Sequence, residues 1–363
     1  MGFNCGIVGL PNVGKSTLFN ALTQTVAAQA MNYPFCTIEP NIGVVGVPDP
    51  RLFKLAALAK SVKVIPTQLE VVDIAGLVKG ASNGEGLGNQ FLGHIRGTDA
   101  VLHVVRCFEN TDVTHVHGSV DPIRDIEVVE TELMLADLES LKRKEATIAK
   151  KGYMAPAAAK SFLAKSIGWL EKGNMLRRLE ITDEEKAFAV TLCLITEKPV
   201  LYVCNVDEVD VVNGNRLTEM VAEFARARDL SCVVVSAAIE AEIAVIADES
   251  EKNEYITSIG LTESGLSRVI RCGYDLLKLI TFFTAGPTEA RAWTVHSGAR
   301  APTAAGVIHT DFERGFICAE TIGYNDYIAF DGESGAKAAG KMRLEGKEYV
   351  VRDGDVFHFR FNV

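Results

Sequence analysis

The chain has 363 residues, of which 48% are hydrophobic and 23% are charged, and its formal net charge is −10. This length suggests two or three domains, and the apolar fraction is enough for more than one hydrophobic core, which excludes a mainly disordered chain and a disulfide-rich miniprotein. The acidic total argues against a protein that coats DNA, although a local basic patch can still bind RNA.

Eight cysteines are spread along the chain without any C-x-x-C pair, which argues against a structural zinc site. The first residues contain neither the basic nor the apolar segment of a signal peptide. No apolar run approaches the roughly 20 residues that a membrane-spanning helix needs. We therefore expect a soluble protein of the reducing cytoplasm, with no membrane partner and no DNA partner.

The first predicted elements are short apolar strands that alternate with helices. Six strand candidates are rich in β-branched residues: Cys5–Gly9, Gly43–Val47, Gln68–Asp73, Ala100–Arg106, Val200–Asn205 and Cys232–Ser236. Continuous apolar runs of this kind are typical of parallel strands that are buried on both faces. With helices between them, these strands predict an α/β fold built on a doubly wound sheet.

A phosphate-binding loop follows the first predicted strand. Residues Gly9–Thr17, GLPNVGKST, match the P-loop pattern G-x-x-x-x-G-K-[ST] between a strand and a helix. The glycines let backbone N–H groups surround the phosphates, Lys15 supplies a positive charge, and Ser16 offers its hydroxyl to Mg²⁺. The N-terminus of the helix adds the positive end of its dipole. The nucleotide-binding residues predicted in this loop are Asn12, Val13, Gly14, Lys15, Ser16 and Thr17.

Two further segments complete the predicted metal site. Asp73 ends the third predicted strand in the sequence D-I-A-G, where an aspartate can hold Mg²⁺ through water and Gly76 can bring its backbone N–H to the γ-phosphate. Thr37 lies in the loop between the first helix and the second strand, where switch GTPases place a second Mg²⁺ ligand. An ordinary solvated threonine would give the same pattern. The predicted Mg²⁺ ligands are Ser16, Thr37 and Asp73.

A helical insertion at about residues 126–198 separates the fourth and fifth predicted strands. Glu127–Lys151 and Ala157–Lys172 are predicted helices joined by a short break, which suggests an antiparallel coiled-coil hairpin. Between residues 142 and 178 there are ten basic and two acidic side chains, a net charge of +8 in a chain of −10. A basic hairpin on an acidic body predicts contact with RNA, and a solvated helix face is the alternative.

The pattern changes again near residue 280, where glycines become frequent and apolar runs become short. We predict a small mixed α/β domain over residues 280–363. Its last residues, Glu348–Arg352 and Val356–Phe361, flank an Asp-Gly pair and predict a terminal β-hairpin. This domain contains no plausible catalytic constellation.

Five segments occur in the order of the five nucleotide-binding motifs of translation-factor GTPases. They are Gly9–Thr17, Thr37, Asp73–Gly76, Asn205–Glu208 and Ser236–Ala237. The stretches Asp73–Ala81, DIAGLVKGA, and Glu85–Leu92, EGLGNQFL, are similar to the Obg-related branch of these proteins. Along its whole length the chain resembles the YchF family of bacterial Obg-like ATPases.

This resemblance implies a P-loop NTPase G domain of Obg type over residues 1–279, which carries the coiled-coil insertion, and a C-terminal β-grasp TGS-like domain over 280–363. It implies a Mg²⁺-dependent ATPase with slow intrinsic turnover that acts as a translation or stress regulator. The implied partner is the ribosome, through the 50S subunit and ribosomal RNA, with contacts from the hairpin 142–178 and the C-terminal domain. Two alternatives stay open: an Obg-type GTPase that serves as a translation or assembly factor, and a nucleotide-gated ribosome-binding scaffold with negligible turnover.

The base-reading segment departs from the guanine motif N-K-x-D, because Val206 replaces the lysine and Glu208 replaces the aspartate. The usual aspartate accepts two hydrogen bonds from guanine, and the loss of such a buried polar pair can remove discrimination by about 10⁴–10⁵. In the family this change accompanies a preference for ATP, whereas a degraded GTPase motif with poor selectivity is the alternative. The residues predicted to contact the nucleotide here are Asn205, Val206, Glu208, Ser236 and Ala237.

The residue that follows D-x-x-G is Leu77, where switch GTPases commonly carry the glutamine that orients the attacking water. Leu77 cannot hydrogen-bond to water, so the catalytic group must come from elsewhere. The catalytic loop histidine proposed for the family matches His115, and the alternatives are the nearby His117 or a solvated, non-catalytic side chain. Asn12 resembles the asparagine of potassium-dependent members of this group, so a K⁺ ion beside the phosphates is a further alternative.

Overall fold

The structure is a computed structural model that describes residues 3–30, 42–73, 87–110, 118–150 and 156–362. These residues group into two compact units. The first unit consists of described residues within 4–44 and 70–272, and the second consists of described residues within 1–3, 45–69 and 273–363. Among the described residues, no helix combines the length and the apolar character needed to span a bilayer.

The first unit is built on a six-stranded sheet. Its strands, in spatial order, are β2 (Ile42–Gly46), β4 (Gln68–Asp73), β1 (Phe3–Val8), β5 (Ala100–Arg106), β6 (Val200–Asn205) and β7 (Ser231–Val235). β1 pairs with β5, β5 with β6 and β6 with β7, always in parallel. Every residue of β5 and β6 is buried, as expected for strands covered on both faces. The predicted α/β fold is confirmed, and β4, β5 and β6 have the predicted bounds.

The helices along this part of the chain are α1 (Lys15–Ala30), α3 (Leu87–Arg96), α4 (Pro122–Lys150), α5 (Ala157–Leu170), α6 (Asp183–Ala189), α7 (Arg216–Arg226), α8 (Ala237–Val245), α9 (Glu249–Ser258) and α10 (Gly265–Leu276). Helices α8 and α9 are separate although only residues 246–248 lie between them. The Asp248 side chain accepts hydrogen bonds from the backbone N–H groups of Ser250 and Glu251, and this cap starts a new helix.

Helices α4 and α5 form the inserted hairpin. An apolar cluster that includes Leu141 on α4 and Phe162 and Leu163 on α5 holds them together. The Lys142 Nζ lies 2.7 Å from Glu171 Oε1, just beyond the end of α5. Most of the predicted break between the helices lies outside the described residues.

Two buried carboxylates, Glu130 and Asp137, fix the position of α4. Asp137 is 0% exposed and accepts hydrogen bonds from the Thr196 N–H (2.7 Å) and hydroxyl (2.8 Å), with an Arg96 nitrogen 3.1 Å away. Glu130 accepts hydrogen bonds from Arg177 (2.8 Å) and from the Tyr202 hydroxyl (2.9 Å). Buried carboxylates need such partners. Through these bonds, the part of α4 around residues 130–137, which is the base of the hairpin, is attached to the rest of the first unit.

The second unit has its own six-stranded mixed sheet. Its strands, in spatial order, are β11 (Arg343–Glu345), β10 (Phe316–Gly323), β12 (Asp355–Phe361), β8 (Leu279–Ala285), β9 (Glu289–His296) and β3 (Lys63–Ile65). Its helices are α2 (Pro50–Ala59), α11 (Ala301–Ile308), α12 (Thr310–Arg314), α13 (Tyr324–Ala329) and α14 (Glu333–Ala338).

Residues 45–69, from the end of β2 to the start of β4, group with this second unit, whereas the family resemblance implies that they lie in the G domain. β3 pairs in parallel with the start of β9. Leu52 and Leu55 of α2 share an apolar cluster with Phe283 of β8. A short helix and a short strand bury the same kind of apolar residue in either sheet, so their periodicity does not show which sheet they join. The domain boundary near residue 279 stays a prediction.

The predicted terminal hairpin is wrong. β12 pairs antiparallel with β10 and parallel with β8, while residues 348–352 make only an isolated bridge between Val350 and Arg300. The Asp-Gly pair is bonded to β8 instead. The Thr281 N–H donates to the Asp353 carboxylate (2.9 Å), and the Gly354 N–H donates to the Thr281 carbonyl (2.9 Å).

Candidate nucleotide-binding site

The P-loop between β1 and α1 takes a path that only its glycines allow. Gly9 has φ +152°, and a Cβ atom there would lie 2.4 Å from the Val104 carbonyl oxygen. Gly14 has φ +95°, and a Cβ atom there would lie 2.3 Å from the Asn205 Nδ2. Asn12 has φ 60°, a left-handed conformation that asparagine tolerates better than most residues. The glycine spacing of the motif therefore has a direct steric cause in this fold.

Lys15, the first residue of α1, is buried, and Asp73, the last residue of β4, is half-buried, so opposite charges lie near each other at this edge of the sheet. Lys15 is 6% exposed, and its Nζ donates to the Leu10 carbonyl (2.6 Å). Burial lowers the pKa of Lys15 to about 8, and the charge of Asp73 opposes this shift. Burial also raises the pKa of Asp73, against the influence of Lys15. The Asp73 Oδ1 is buried and has no hydrogen-bond partner among the described residues.

This environment fits a phosphate and a divalent cation. A carboxylate oxygen without a partner in the described part of the chain is a donor that Mg²⁺ can take, directly or through water. A lysine that is bonded to a loop carbonyl can exchange that bond for a phosphate oxygen. Ser16 is exposed in the first turn of α1, where its hydroxyl can turn toward such a cation.

Asn205, at the end of β6, connects three of the predicted segments. It is 5% exposed, its Nδ2 donates to the Val13 carbonyl (3.0 Å), and its Oδ1 accepts from the Ala237 N–H (2.9 Å). The P-loop, the end of β6 and the start of α8 thus meet at one amide. Ser236 is fully buried beside Ala237, and its Oγ has no hydrogen-bond partner among the described residues.

These segments surround a cavity of about 380 Å³. The predicted residues that line it are Asn12, Gly14, Thr17, Asn205, Val206, Glu208 and Ala237. Val206 is 3% exposed, and its N–H donates to the Val235 carbonyl (2.9 Å), whereas Glu208 is exposed. Neither side chain provides the buried carboxylate with which guanine is usually recognised.

Three residues of the cavity wall, Phe108, Asn110 and Ala238, are not predicted by any sequence motif. Ala238 adjoins the predicted Ala237, whereas Phe108 and Asn110 follow β5 directly. The one available signal is Arg106, a charged residue that ends a strand of otherwise apolar or neutral side chains.

Three of the predicted site residues, Thr37, Gly76 and His115, lie outside the described residues, as do Leu77 and His117. Their roles stay predictions.

The basic hairpin divides into paired and unpaired cations. Arg177 is mostly buried and bonded to Glu130, while Lys142, Arg143 and Lys165 form ion pairs with nearby glutamates. Lys151 lies outside the described residues. The exposed cations with no ion pair among the described residues are Lys144, Lys150, Lys160, Lys172 and Arg178.

Comparisons with known proteins match this arrangement along the whole chain. Residues 4–148 match a family model described as "50S ribosome-binding GTPase", and residues 279–362 match the YchF-type GTPase C-terminal model, described as "Protein of unknown function (DUF933)". A protein of Escherichia coli O157:H7 named "Ribosome-binding ATPase YchF" is 56% identical over 366 residues, and one of Bacillus subtilis (strain 168) with the same name is 51% identical over 368 residues. Each match covers 100% of both chains.

A solved structure gives the same result. The "Structure of the Schizosaccharomyces pombe YchF GTPase" superposes with a TM-score of 0.87 at 37% sequence identity. The match covers 99% of this chain and 98% of that chain.

The geometry of the P-loop predicts the effect of a single methyl group. Gly14→Ala should weaken binding of nucleoside triphosphate by at least about tenfold, because the new Cβ needs both a left-handed backbone and the space of the Asn205 amide. The measurement is isothermal titration with ATP and Mg²⁺. The matched control is Gly93→Ala in α3, where a Cβ meets nothing within 4 Å and binding should stay at the parental level. Parental affinity in Gly14→Ala would contradict this steric explanation.

Proposed function

The chain belongs to the YchF family, and from this premise we propose that it is a ribosome-binding ATPase that hydrolyses ATP to ADP and phosphate. The observation that carries the proposal is the base-reading segment, in which Val206 is buried and Glu208 is exposed. A guanine-reading site keeps a buried carboxylate at the second of these positions. The names of the Escherichia coli and Bacillus subtilis relatives support ATP as the nucleotide and the ribosome as the partner.

A GTPase is the second candidate function. The Schizosaccharomyces pombe structure and the model that matches residues 4–148 both carry that word in their descriptions. The two candidates share the P-loop chemistry and differ only in the base end of the cavity. A comparison of ATP and GTP therefore separates them.

We propose that Mg²⁺ accompanies the nucleotide and is held by Ser16, Thr37 and Asp73. The buried Oδ1 of Asp73, which has no hydrogen-bond partner within the described ranges, supports its part in this set. When bound, Mg²⁺ neutralises charge on the β- and γ-phosphates. Lys15 exchanges the Leu10 carbonyl for a phosphate oxygen, and its pKa rises toward the ordinary value as the phosphates approach.

Hydrolysis needs a group that positions water, because Leu77 offers neither a donor nor an acceptor. We propose His115 for this role, since a neutral imidazole can accept a hydrogen bond from water. Gly76 would direct its backbone N–H to the γ-phosphate. A K⁺ ion held by Asn12 is the alternative source of charge compensation.

We propose that the hairpin 142–178 meets ribosomal RNA of the 50S subunit, together with the C-terminal domain, and that the protein acts in the cytoplasm, where ribosomes are. Five exposed cations that form no ion pair with any described residue support the RNA contact. Asp137 and Glu130 support it as well, because they hold the base of the hairpin in place.

The first test of this function is nucleotide selectivity. ATP should bind at least tenfold more tightly than GTP, a difference of about 1.4 kcal/mol, when both are titrated at the same Mg²⁺ concentration. The double variant V206K/E208D restores the guanine motif and should shift the preference toward GTP. Tighter binding of GTP by the parental protein would refute the ATPase proposal in favour of the GTPase.

The second test concerns hydrolysis. His115→Ala should lower kcat by about 10²-fold, a usual size for lost acid–base assistance, while ATP affinity stays within a few-fold. Single-turnover hydrolysis with saturating enzyme separates chemistry from product release. His117→Ala is the control and should keep most of the activity. A parental rate in His115→Ala would contradict this role for His115 and would point to K⁺ at Asn12 or to a group supplied by the ribosome.

The third test concerns the hairpin. The double variant K144E/K160E should weaken ribosome binding by about tenfold and make its salt dependence shallower, because phosphate contacts are lost. Cosedimentation with ribosomes across a salt series measures both effects. The control R216E/R226E reverses two exposed charges of α7 outside the hairpin and should bind like the parent. Equal ribosome binding by both double variants would show that the hairpin is not part of the interface.

A further inference from the structure

Arg106, the last residue of β5, is 1% exposed, which is rare for an arginine. Two of its hydrogen bonds go to one short segment that follows the strand. Its Nε donates to the Phe108 carbonyl and its Nη2 donates to the Asn110 carbonyl, both at 3.2 Å. The guanidinium carbon lies 4.5 Å from the centre of the Phe108 ring. One buried cation therefore fixes two carbonyls and one aromatic ring.

This segment is a wall of the nucleotide cavity, because Phe108 and Asn110 both line it. It lies at the base end. The Cys107 N–H donates to the Asn205 carbonyl (2.8 Å), and the Cys107 carbonyl accepts from Asn215 Nδ2 (2.8 Å). The same Asn215 nitrogen bonds Asp210, just beyond the base-reading residues.

Arg106 matters less through its charge than through the positions in which it holds the Phe108 and Asn110 carbonyls. Burial disfavours the charged form, and the carboxylates of Asp207 and Asp125 favour it. A buried ion pair contributes little net stability, and apolar residues of similar volume often replace both partners without loss, whereas removal of one partner alone is destabilising. An apolar residue donates no hydrogen bond, so it cannot hold two carbonyl oxygens at a fixed separation. A lysine lacks the planar fork of N–H donors by which the guanidinium group does so.

We propose that Arg106 is a positioning residue for base selectivity, which holds Phe108 and Asn110 as the wall against which the adenine is read. The proposal rests on the proposed ATP-binding function. It places the residue that governs selectivity on β5, outside all five motifs and without contact to the base. Loss of the fork lets the wall relax, so the base is held less tightly while the phosphate site is unaffected.

The test compares ligands that do and do not have a base. The full-length variants Arg106→Lys and Arg106→Met are titrated with ATP, GTP and inorganic triphosphate in the presence of Mg²⁺. Both should bind ATP about tenfold more weakly and show a smaller ATP-to-GTP affinity ratio. Inorganic triphosphate, which occupies only the phosphate end, should bind within about twofold of the parent, because Lys15 and the P-loop are unchanged.

Arg228→Met is the matched control. The Arg228 guanidinium carbon lies 3.4 Å from the centre of the Phe224 ring, and neither residue lines the cavity. It should leave all three affinities at the parental level. If Arg106→Met does not fold, as a thermal melt would show, Arg106→Lys decides the question, because it keeps the buried charge and removes only the fork.

Two results would overturn the proposal. Parental ATP affinity in the Arg106→Lys variant would show that the fork is not needed. An equal loss of ATP and inorganic triphosphate would show that Arg106 only supports the fold. Failure of the proposed function is separate, because it appears as tighter GTP binding by the parental protein. The comparison with inorganic triphosphate then tests Arg106 with GTP as the base-bearing ligand.

Discussion

The nucleotide site depends on the side-chain amide of Asn205. This one buried group donates to the P-loop carbonyl of Val13 and accepts from the backbone N–H of Ala237. Its place also explains Gly14, because a side chain there would overlap the amide. Loss of the amide would leave two buried backbone groups unsatisfied, at a cost of about 1–3 kcal/mol each. Asn205 therefore links the phosphate end of the cavity to its base end.

The charged side chains of the first unit lie where its two proposed functions, nucleotide binding and RNA binding, need them. Lys15 is buried and Asp73 is half-buried near it, where the proposed phosphate and cation would complete their interactions. In the hairpin, Arg177 is mostly buried in an ion pair with Glu130. It therefore stabilises the base of the hairpin and does not contribute to a surface that could bind RNA. The net charge of +8 read from the sequence thus overstates the basic surface. Among the described residues, the exposed cations without an ion pair are four lysines and one arginine on α4, α5 and the residues that follow, while Lys142, Arg143 and Lys165 are exposed but paired with glutamates.

The sequence predicts best what local pattern determines. Buried parallel strands such as β5 and β6 are continuous apolar runs, and the P-loop is a fixed motif with a steric basis, so both are predicted with their residues. The errors occur where distant contacts decide. The Asp353-Gly354 pair has the composition of a hairpin turn, but Thr281 binds it and β12 pairs with β10. The importance of Arg106 comes from the carbonyls of Phe108 and Asn110, which a sequence cannot show.

The central claim is that this pocket selects and hydrolyses an adenine nucleotide. A competition assay tests it most directly: equal concentrations of differently labelled ATP and GTP are offered to the full-length protein with Mg²⁺, and the ratio of their kcat/KM values is read from the two products. A ratio above about ten in favour of ATP is expected, since this corresponds to at least about 1.4 kcal/mol of discrimination in the transition state. A ratio at or below one would contradict the claim and identify the protein as a GTPase.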